Sequence, residues 1–446
     1  MRVRRAQPAR WQQVPDGMRD LLPAEAERRA ALLGVLREEV RRWGYREVET
    51  PTLEFLETFL VGAGAGIQDR LFKIVDSRGE LLVLRPEMTV PIARLAATRL
   101  LQTCRRPLRV AYVAPVFRGQ DAGQGRLREF TQAGVELLGD SGADADAEVI
   151  ALGLECLGRA GVRETLLHVG NLGFLHDVLA GLPDDERDEL LVRLYRKEFT
   201  GLDGAVSDPA VAQVLRTLPD LHGPDAITRA AVVARTDEGR AALDRLAAII
   251  ERLADYGAPG RVTVDLSIIR DFSYYTGIVF EAYGAGAGYP LLGGGRYDGL
   301  LERFGLSCPA TGFAIGVERV LAAAADAAER AVDFHIILMP QQRSEGLQLA
   351  RQLRECGKVV VVSIADGAVE PVISDAGVQA LSVIRGTGAS AQAVTPDGGA
   401  SARTVIRVDG RYLRVTDTAT GRERILDRDE LLVEIRGRPR AVAWTH

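Results

Sequence analysis

Hydrophobic spacing along the 446-residue chain changes character several times. Residues 24–43 place Ala and Leu on one side and Glu and Arg on the other, a period that predicts an amphipathic helix. Gly44-Tyr45 ends it, and Glu47-Val48-Glu49-Thr50-Pro51 reads as a strand closed by proline. Leu81 to Leu84 predict a short apolar strand. Residues 108–118 and 129–137 predict two antiparallel strands joined by a loop over 119–128 rich in glycine and charge. A helix is expected over 145–160. From about 175 to 258 strand signals vanish and helical Leu/Ala spacing takes over, broken at Asp208-Pro209 and Gly223-Pro224. Strand-like runs return at 262–269 and 274–282. Near residue 330 a second unit begins: strand 336–339, helix 344–356 and strand 359–364 form a βαβ pattern, and 403–407 with 412–416 suggest a small meander.

The length calls for two or three domains, and 47% apolar residues suffice for real cores. A net charge of −5 argues against an obligate nucleic-acid binder. Only Lys73, Lys197 and Lys358 are lysines, which reflects genomic composition rather than function. Cys104, Cys156, Cys308 and Cys356 lie far apart, with neither zinc nor redox spacing, and read as free thiols in a reducing cytosol. No apolar run approaches the ~18 residues of a membrane span. The five histidines form no metal constellation, and His168, His176, His222 and His335 read as structural. Gly62-Ala63-Gly64-Ala65-Gly66 and Gly284-Ala285-Gly286 mimic dinucleotide loops without opening a helix toward a suitably spaced acid. No metal or cofactor is therefore expected.

Several scattered segments carry convergent chemistry. Glu87 and Thr89 can accept from an ammonium group. Arg118 and Arg270 offer planar donor forks to a carboxylate or phosphate. Gln132 and Glu136 are four apart on a predicted strand, so they share a face. Tyr274 and Tyr275 supply a ring wall and a hydroxyl. Each alone has an ordinary structural explanation; their order and spacing together do not.

Taken together, Arg85-Pro86-Glu87-x-Thr89, Phe117-Arg118, Arg128-Glu129-Phe130-x-Gln132, Tyr274-Tyr275-Thr276-Gly277, Gly294-Gly295-Arg296-Tyr297-Asp298 and Gly312-Phe313-Ala314-Ile315-Gly316-x-Glu318-Arg319 resemble the histidyl-tRNA synthetases over nearly the whole chain. The resemblance implies a class II synthetase-like α+β fold: a mixed, mainly antiparallel sheet flanked by helices, with a helical insertion at about 175–258 inside residues 1–328. Residues 329–446 would be a C-terminal α/β domain resembling an anticodon-binding domain. The long helix followed by a proline-ended strand resembles motif 1, which builds the dimer interface of that class. The resemblance also assigns histidine contacts to Glu87, Thr89, Gln132, Glu136, Tyr274 and Tyr275. Arg118 and Arg270 would hold carboxylate and α-phosphate, and Arg319 the ATP γ-phosphate. An ammonium, a carboxylate and an imidazole make up histidine, and this set has a partner for each.

Four departures redirect the reading. Gln120 stands where the synthetases place the glutamate that accepts from the adenine amino group, and Asp121 where they usually have arginine. Met88 replaces glycine in Arg-Pro-Glu-Gly-Thr, and Ser273 replaces an aspartate. Arg85-Pro86-Glu87-Met88-Thr89 with Pro91 to Arg94, and Arg196-Lys197-Glu198-Phe199-Thr200-Gly201-Leu202, resemble instead the synthetase paralogues that serve as regulatory subunits of ATP phosphoribosyltransferase. That resemblance implies a non-catalytic cytoplasmic protein that binds free histidine and keeps only a vestigial ATP site at Gln120 and Arg319. Its partner would be a short-form catalytic subunit, joined to a homodimer within a hetero-oligomer, for which the resemblance implies a hetero-octamer. No tRNA is expected, since residues 331–446 hold fifteen basic against fourteen acidic side chains. The alternatives are an active histidyl-tRNA synthetase, which the retained Arg118, Arg270 and Arg319 favour, and a stand-alone histidine sensor.

Overall fold

The structure, a computed structural model, describes residues 9–63, 65–119, 127–195, 198, 200–201, 206–257, 261–269, 274–324, 332–338, 340–364, 369–374, 377–384, 393–394, 402–409, 412–417 and 422–437. They fall into two compact units, residues 1–327 and 328–446.

In the first unit α1 (Pro23–Arg42) starts with Pro23 in its first turn, where a missing N–H costs nothing. It stops at Gly44, whose φ of 82° suits only glycine comfortably. Next come β1 (Arg46–Glu47), β2 (Leu53–Phe55), α2 (Leu56–Ala63), β3 (Phe72–Val75), β4 (Leu81–Leu84), α3 (Thr89–Leu95), α4 (Leu101–Thr103), β5 (Leu108–Phe117) and β6 (Glu129–Leu138). The chain continues through α5 (Ala143–Arg159), β7 (Leu166–Asn171), α6 (Leu172–Val178), α7 (Asp184–Tyr195), α8 (Pro209–Thr217), α9 (Ala226–Val233) and α10 (Asp237–Asp255). It closes with β8 (Arg261–Val264), β9 (Ile278–Tyr283), β10 (Leu292–Arg296), β11 (Ala310–Gly316) and α11 (Val317–Ala323).

Eight strands form one sheet in the order β1-β5-β6-β11-β10-β9-β7-β8, parallel only at its two ends, β1 with β5 and β7 with β8. β2, β4 and β3 make a separate antiparallel sheet. The proline-ended strand near residue 47 pairs at Arg46 and Glu47 and adds one hydrogen bond, from the Val48 amide to the Ala111 carbonyl. The strand expected over 262–269 stops at Val264, because Asp265 Oδ1 accepts from the Ser267 amide and turns the chain. The strand expected from 274 begins at Ile278, because the Thr276 amide donates to the Arg296 carbonyl outside the ladder. The helical stretch between β7 and β8 joins two neighbouring parallel strands, so α6 to α10 form one long crossover.

Parity divides the main sheet chemically. Val135 and Leu137 of β6 and Ile315 of β11 are fully or almost fully buried in the core with α5. The opposite face carries Gln132, Gly134 and Glu136, opposite Gly316, Ala314 and Gly312 of β11. One face is thus a hydrophobic core and the other a floor of very small residues.

The second unit holds β12 (Val332–Leu338), α12 (Arg343–Glu355), β13 (Val360–Ile364), β14 (Val369–Ser374), β15 (Gly377–Ile384), β16 (Ala393–Val394), β17 (Ala402–Asp409), β18 (Tyr412–Asp417), β19 (Glu423–Leu426) and α13 (Arg428–Gly437). Its main sheet runs β13-β12-β17-β18-β19, with β12 parallel to both neighbours. Among the described residues no helix is long and apolar enough to cross a membrane.

Burial sets a simple stability contrast. Leu152, on the core side of α5, is 0% exposed, and Val232 on α9 is 83% exposed. Leu152→Ala should cost about 2–5 kcal/mol through lost burial and a residual cavity, and Val232→Ala about 0.5 or less. Denaturant melts of the three proteins check this.

Candidate functional site

On the glycine-floored face the chain forms a pocket lined by Glu87, Thr89, Arg118, Gln132, Glu136, Tyr274, Tyr275 and Tyr297. The floor is small for a reason. A Cβ on Gly312 would run into the Glu136 carboxylate, and one on Gly295 would sit 2.9 Å from the Tyr275 ring. Only glycine lets a carboxylate and an aromatic ring lie flat on the sheet here.

The walls come from loops fixed by their own backbones. Glu87 bends over the start of α3, where its two oxygens accept from the amides of Thr89 (2.6 Å) and Val90 (2.8 Å). The Thr89 hydroxyl donates to Glu136 Oε1 at 2.8 Å, and the Tyr297 hydroxyl donates to Glu136 Oε2. The Tyr274 hydroxyl reaches Glu87 at 3.5 Å. Tyr274, Tyr275 and Tyr297 pack as an aromatic cluster, with ring centroids 4.8–6.4 Å apart. Arg118 donates from Nε to the Pro86 carbonyl at 2.9 Å and lies over the Phe130 ring, 5.2 Å from its centroid.

Two buried carboxylates in one enclosed space dominate the electrostatics. Burial pushes the Glu136 carboxyl up to about 8, against the hydrogen bonds from Tyr297 and Thr89, and the neighbouring Glu87 adds to the rise. Burial also raises Glu87, against the two amides that hold it. The Tyr274 and Tyr297 phenols are pushed well above their usual range by burial. Gln132 Oε1 is buried and has no hydrogen-bond partner among the described residues. The arrangement is an acceptor-rich, proton-holding cavity suited to a cationic ligand.

Seven of the residues singled out in the sequence meet here: Glu87, Thr89, Arg118, Gln132, Glu136, Tyr274 and Tyr275. Gln120 and Arg270 lie outside the described residues, as do Asp121 and Ser273. Arg319 does not line the cavity. It lies in the first turn of α11, donates to the Pro290 carbonyl at 2.9 Å and lies over the Tyr289 ring. Tyr297 was missed as a site residue, although Gly293, Gly295 and Tyr297 share parity with the floor. Met88, at 1% exposure, turns away to pack with Ile92 and Tyr112.

Comparison with known proteins agrees with this architecture. The profile of the histidyl-tRNA synthetase family matches residues 17–320. A histidyl-tRNA synthetase structure from a Nostoc species superposes with a TM-score of 0.74, covering 95% of this chain and 98% of its own at 19% identity, which establishes the shared fold. The class is therefore that of the class II synthetase-like folds. An ATP phosphoribosyltransferase regulatory subunit from Geobacillus kaustophilus is 43% identical over 357 residues, 78% of this chain and 90% of the relative. Another from Acetivibrio thermocellus is 35% identical over 388 residues, 84% and 93% respectively. A crystal structure from Bacillus halodurans, described as an ATP phosphoribosyltransferase regulatory subunit/histidyl-tRNA synthetase, is 37% identical with a TM-score of 0.73, covering 81% of this chain and 95% of that one. The chain belongs to the ATP phosphoribosyltransferase regulatory subunits of the histidyl-tRNA synthetase family.

The raised Glu136 carboxyl has a stability consequence of defined sign. Its folded value of about 8 lies above the ordinary 4.5, so between these values the folded chain holds a proton that the unfolded chain gives up. Glu136 therefore costs no stability below pH about 4.5, and its penalty grows until pH about 8. Glu136→Gln removes that term. Denaturation midpoints measured across this range should fall less steeply in Glu136→Gln than in the wild type.

Proposed function

We propose that the cavity holds free histidine, and that the chain activates a short-form catalytic subunit of ATP phosphoribosyltransferase and transmits feedback inhibition to it. The observation that carries the histidine reading is the buried Gln132 oxygen, which has no hydrogen-bond partner among the described residues, beside two buried carboxylates. An α-ammonium would satisfy Gln132 and Glu87, because a buried acceptor is stable only when something donates to it. The imidazole would meet Glu136 and the tyrosine cluster. The carboxylate would meet Arg118, with Arg270 supplying the second fork. The named relatives support the regulatory role, since each is a regulatory subunit of ATP phosphoribosyltransferase. Feedback follows if histidine binds the inhibited assembly better than the active one.

The chain would work in the cytoplasm as a homodimer. Leu53 and Phe55 of β2 and Ile74 of β3, which share one face of the small sheet, are 40–53% exposed, an apolar patch suited to a two-fold contact. Catalytic subunits would then join in symmetric sets, giving a hetero-octamer. The C-terminal unit would carry no tRNA.

An active synthetase is the second reading, favoured by the retained Arg118 and Arg319. Histidine-dependent ATP–pyrophosphate exchange separates the two. We expect no exchange at synthetase-like turnover, because loss of the adenine acceptor at Gln120 removes transition-state complementarity worth several kcal/mol, each ~1.4 being tenfold in rate. Brisk exchange would establish the second reading.

Reconstitution tests the first reading. ATP phosphoribosyltransferase activity should appear only when both chains are mixed, and histidine should then inhibit it. Glu136→Ala should weaken histidine binding by about 1–3 kcal/mol, the cost of an unpaired buried partner, while activation persists. Loss of activation and inhibition together in a folded Glu136→Ala protein would refute separate sensing and assembly surfaces.

A further inference from the structure

The three tyrosines of the cavity are anchored at one buried arginine that does not line it. Arg296 directly precedes Tyr297. Its carbonyl accepts from the Thr276 amide at 2.8 Å, and Thr276 directly follows Tyr274-Tyr275. The Asp298 amide donates back to the Thr276 hydroxyl at 3.1 Å. The Arg296 stem lies so close to Gly277 that an added Cβ there would sit 3.3 Å from it. Both tyrosine segments are therefore tied to the backbone and stem of one residue.

The Arg296 guanidinium is held from the opposite direction. It is 3% exposed and pairs with Asp146, 0% exposed, at 2.8 Å, and with Asp298 at 2.9 Å. It also donates to the carbonyls of Asp140 (3.1 Å) and Gly142 (3.4 Å), ahead of α5. Asp146 is shared: its Oδ2 also accepts from Arg245 of α10, from Nη2 at 2.7 Å and Nε at 3.2 Å. Arg245 is 30% exposed, so the chain of contacts runs from a buried pocket wall to the surface of the helical crossover. Seven residues further along α10, Arg252 pairs with Asp144 at 2.7 Å, a contact with no connection to Arg296.

We propose that Arg245, Asp146 and Arg296 form a positional link through which the placement of α10 sets the tyrosine wall, making Arg245 a remote positioning residue for ligand affinity. The link is short, buried and directional: a buried carboxylate shared by two arginines cannot lose one without redistributing its bonds to the other. A shift of α10 relative to α5 moves Arg245, re-aims Asp146, and moves the residue from which Tyr297 and the Tyr274-Tyr275 turn both hang. A binding event on the crossover would thereby change affinity in the cavity, and by reciprocity the ligand would bias the crossover. The affinity part of the inference rests on the histidine reading above.

The test compares Arg245→Ala, Arg245→Lys and Arg252→Ala as full-length chains. Histidine affinity is read by calorimetry, and the tyrosine environment by near-ultraviolet circular dichroism without ligand. Arg245→Ala should weaken histidine binding on the order of 2- to 30-fold, the span over which remote substitutions modulate coupling. It should also change the tyrosine spectrum, and Arg245→Lys should restore much of both. Arg252→Ala should leave both as in the wild type. Wild-type affinity and spectrum in Arg245→Ala would overturn the link, and so would an equal loss in Arg252→Ala, which would mean general loosening of α10. If Arg245→Ala fails to fold, Arg245→Lys against Arg252→Ala decides by the same criteria. If the wild type binds no histidine, the ligand reading falls, and the ligand-free spectrum alone decides whether the positional link stands.

Discussion

Two buried carboxylates share one pocket, each pushed toward its protonated form by burial, and the surrounding structure is arranged around them. Glu87 and Glu136 are each 2% exposed or less. Neither is neutralised by a cation among the hydrogen bonds described for it: Glu87 is held by two amides, and Glu136 by two hydroxyls. A carboxylate removed from water with only neutral donors stays protonated more readily, as the rise of Glu136 to about 8 reflects. Such a site is costly when empty and is relieved by a ligand that brings positive charge. Its worth to the protein is therefore selectivity more than stability.

The sheet makes that pair possible. Parity puts Glu136 and Gln132 on the face opposite the core, and register sets Gly312 opposite Glu136. The glycine leaves the depth into which the carboxylate lies. The same stretch of β11 sends Ile315 into the core, so one strand supports packing on one side and chemistry on the other. The loop residues are then aimed by short local bonds, Glu87 at the start of α3 and the tyrosines from Arg296.

Much of this was legible in the chain itself. The two-residue period of β6 placed Gln132 and Glu136 together, and the paired arginine, glutamate and tyrosine motifs pointed to one pocket. The Leu/Ala period between 175 and 258 read correctly as helices. What sequence could not give was register. Tyr297 meets Glu136 only because β10, β11 and β6 lie side by side, a non-local fact, and an aromatic after three glycines reads as core. Asp146 reads as an ordinary first-turn helix acid; its pairing with Arg296 and Arg245, residues far along the chain, exists only in the fold. The helical run looked like an insertion, and only strand order shows it to be the crossover between β7 and β8. The strand end expected at 269 and the strand start expected at 274 differ for local reasons, an aspartate turn and an amide spent on Arg296.

The central claim is that an acidic, glycine-floored cavity selects histidine by its ammonium and imidazole together. Calorimetric titration of the purified chain at neutral pH, with histidine and separately with alanine, addresses it directly. Alanine carries the same ammonium and carboxylate but offers nothing to Glu136 or the tyrosine cluster. The account predicts saturable binding of histidine and none of alanine over the same concentration range. Equal affinity for both, or no binding of histidine, would contradict it.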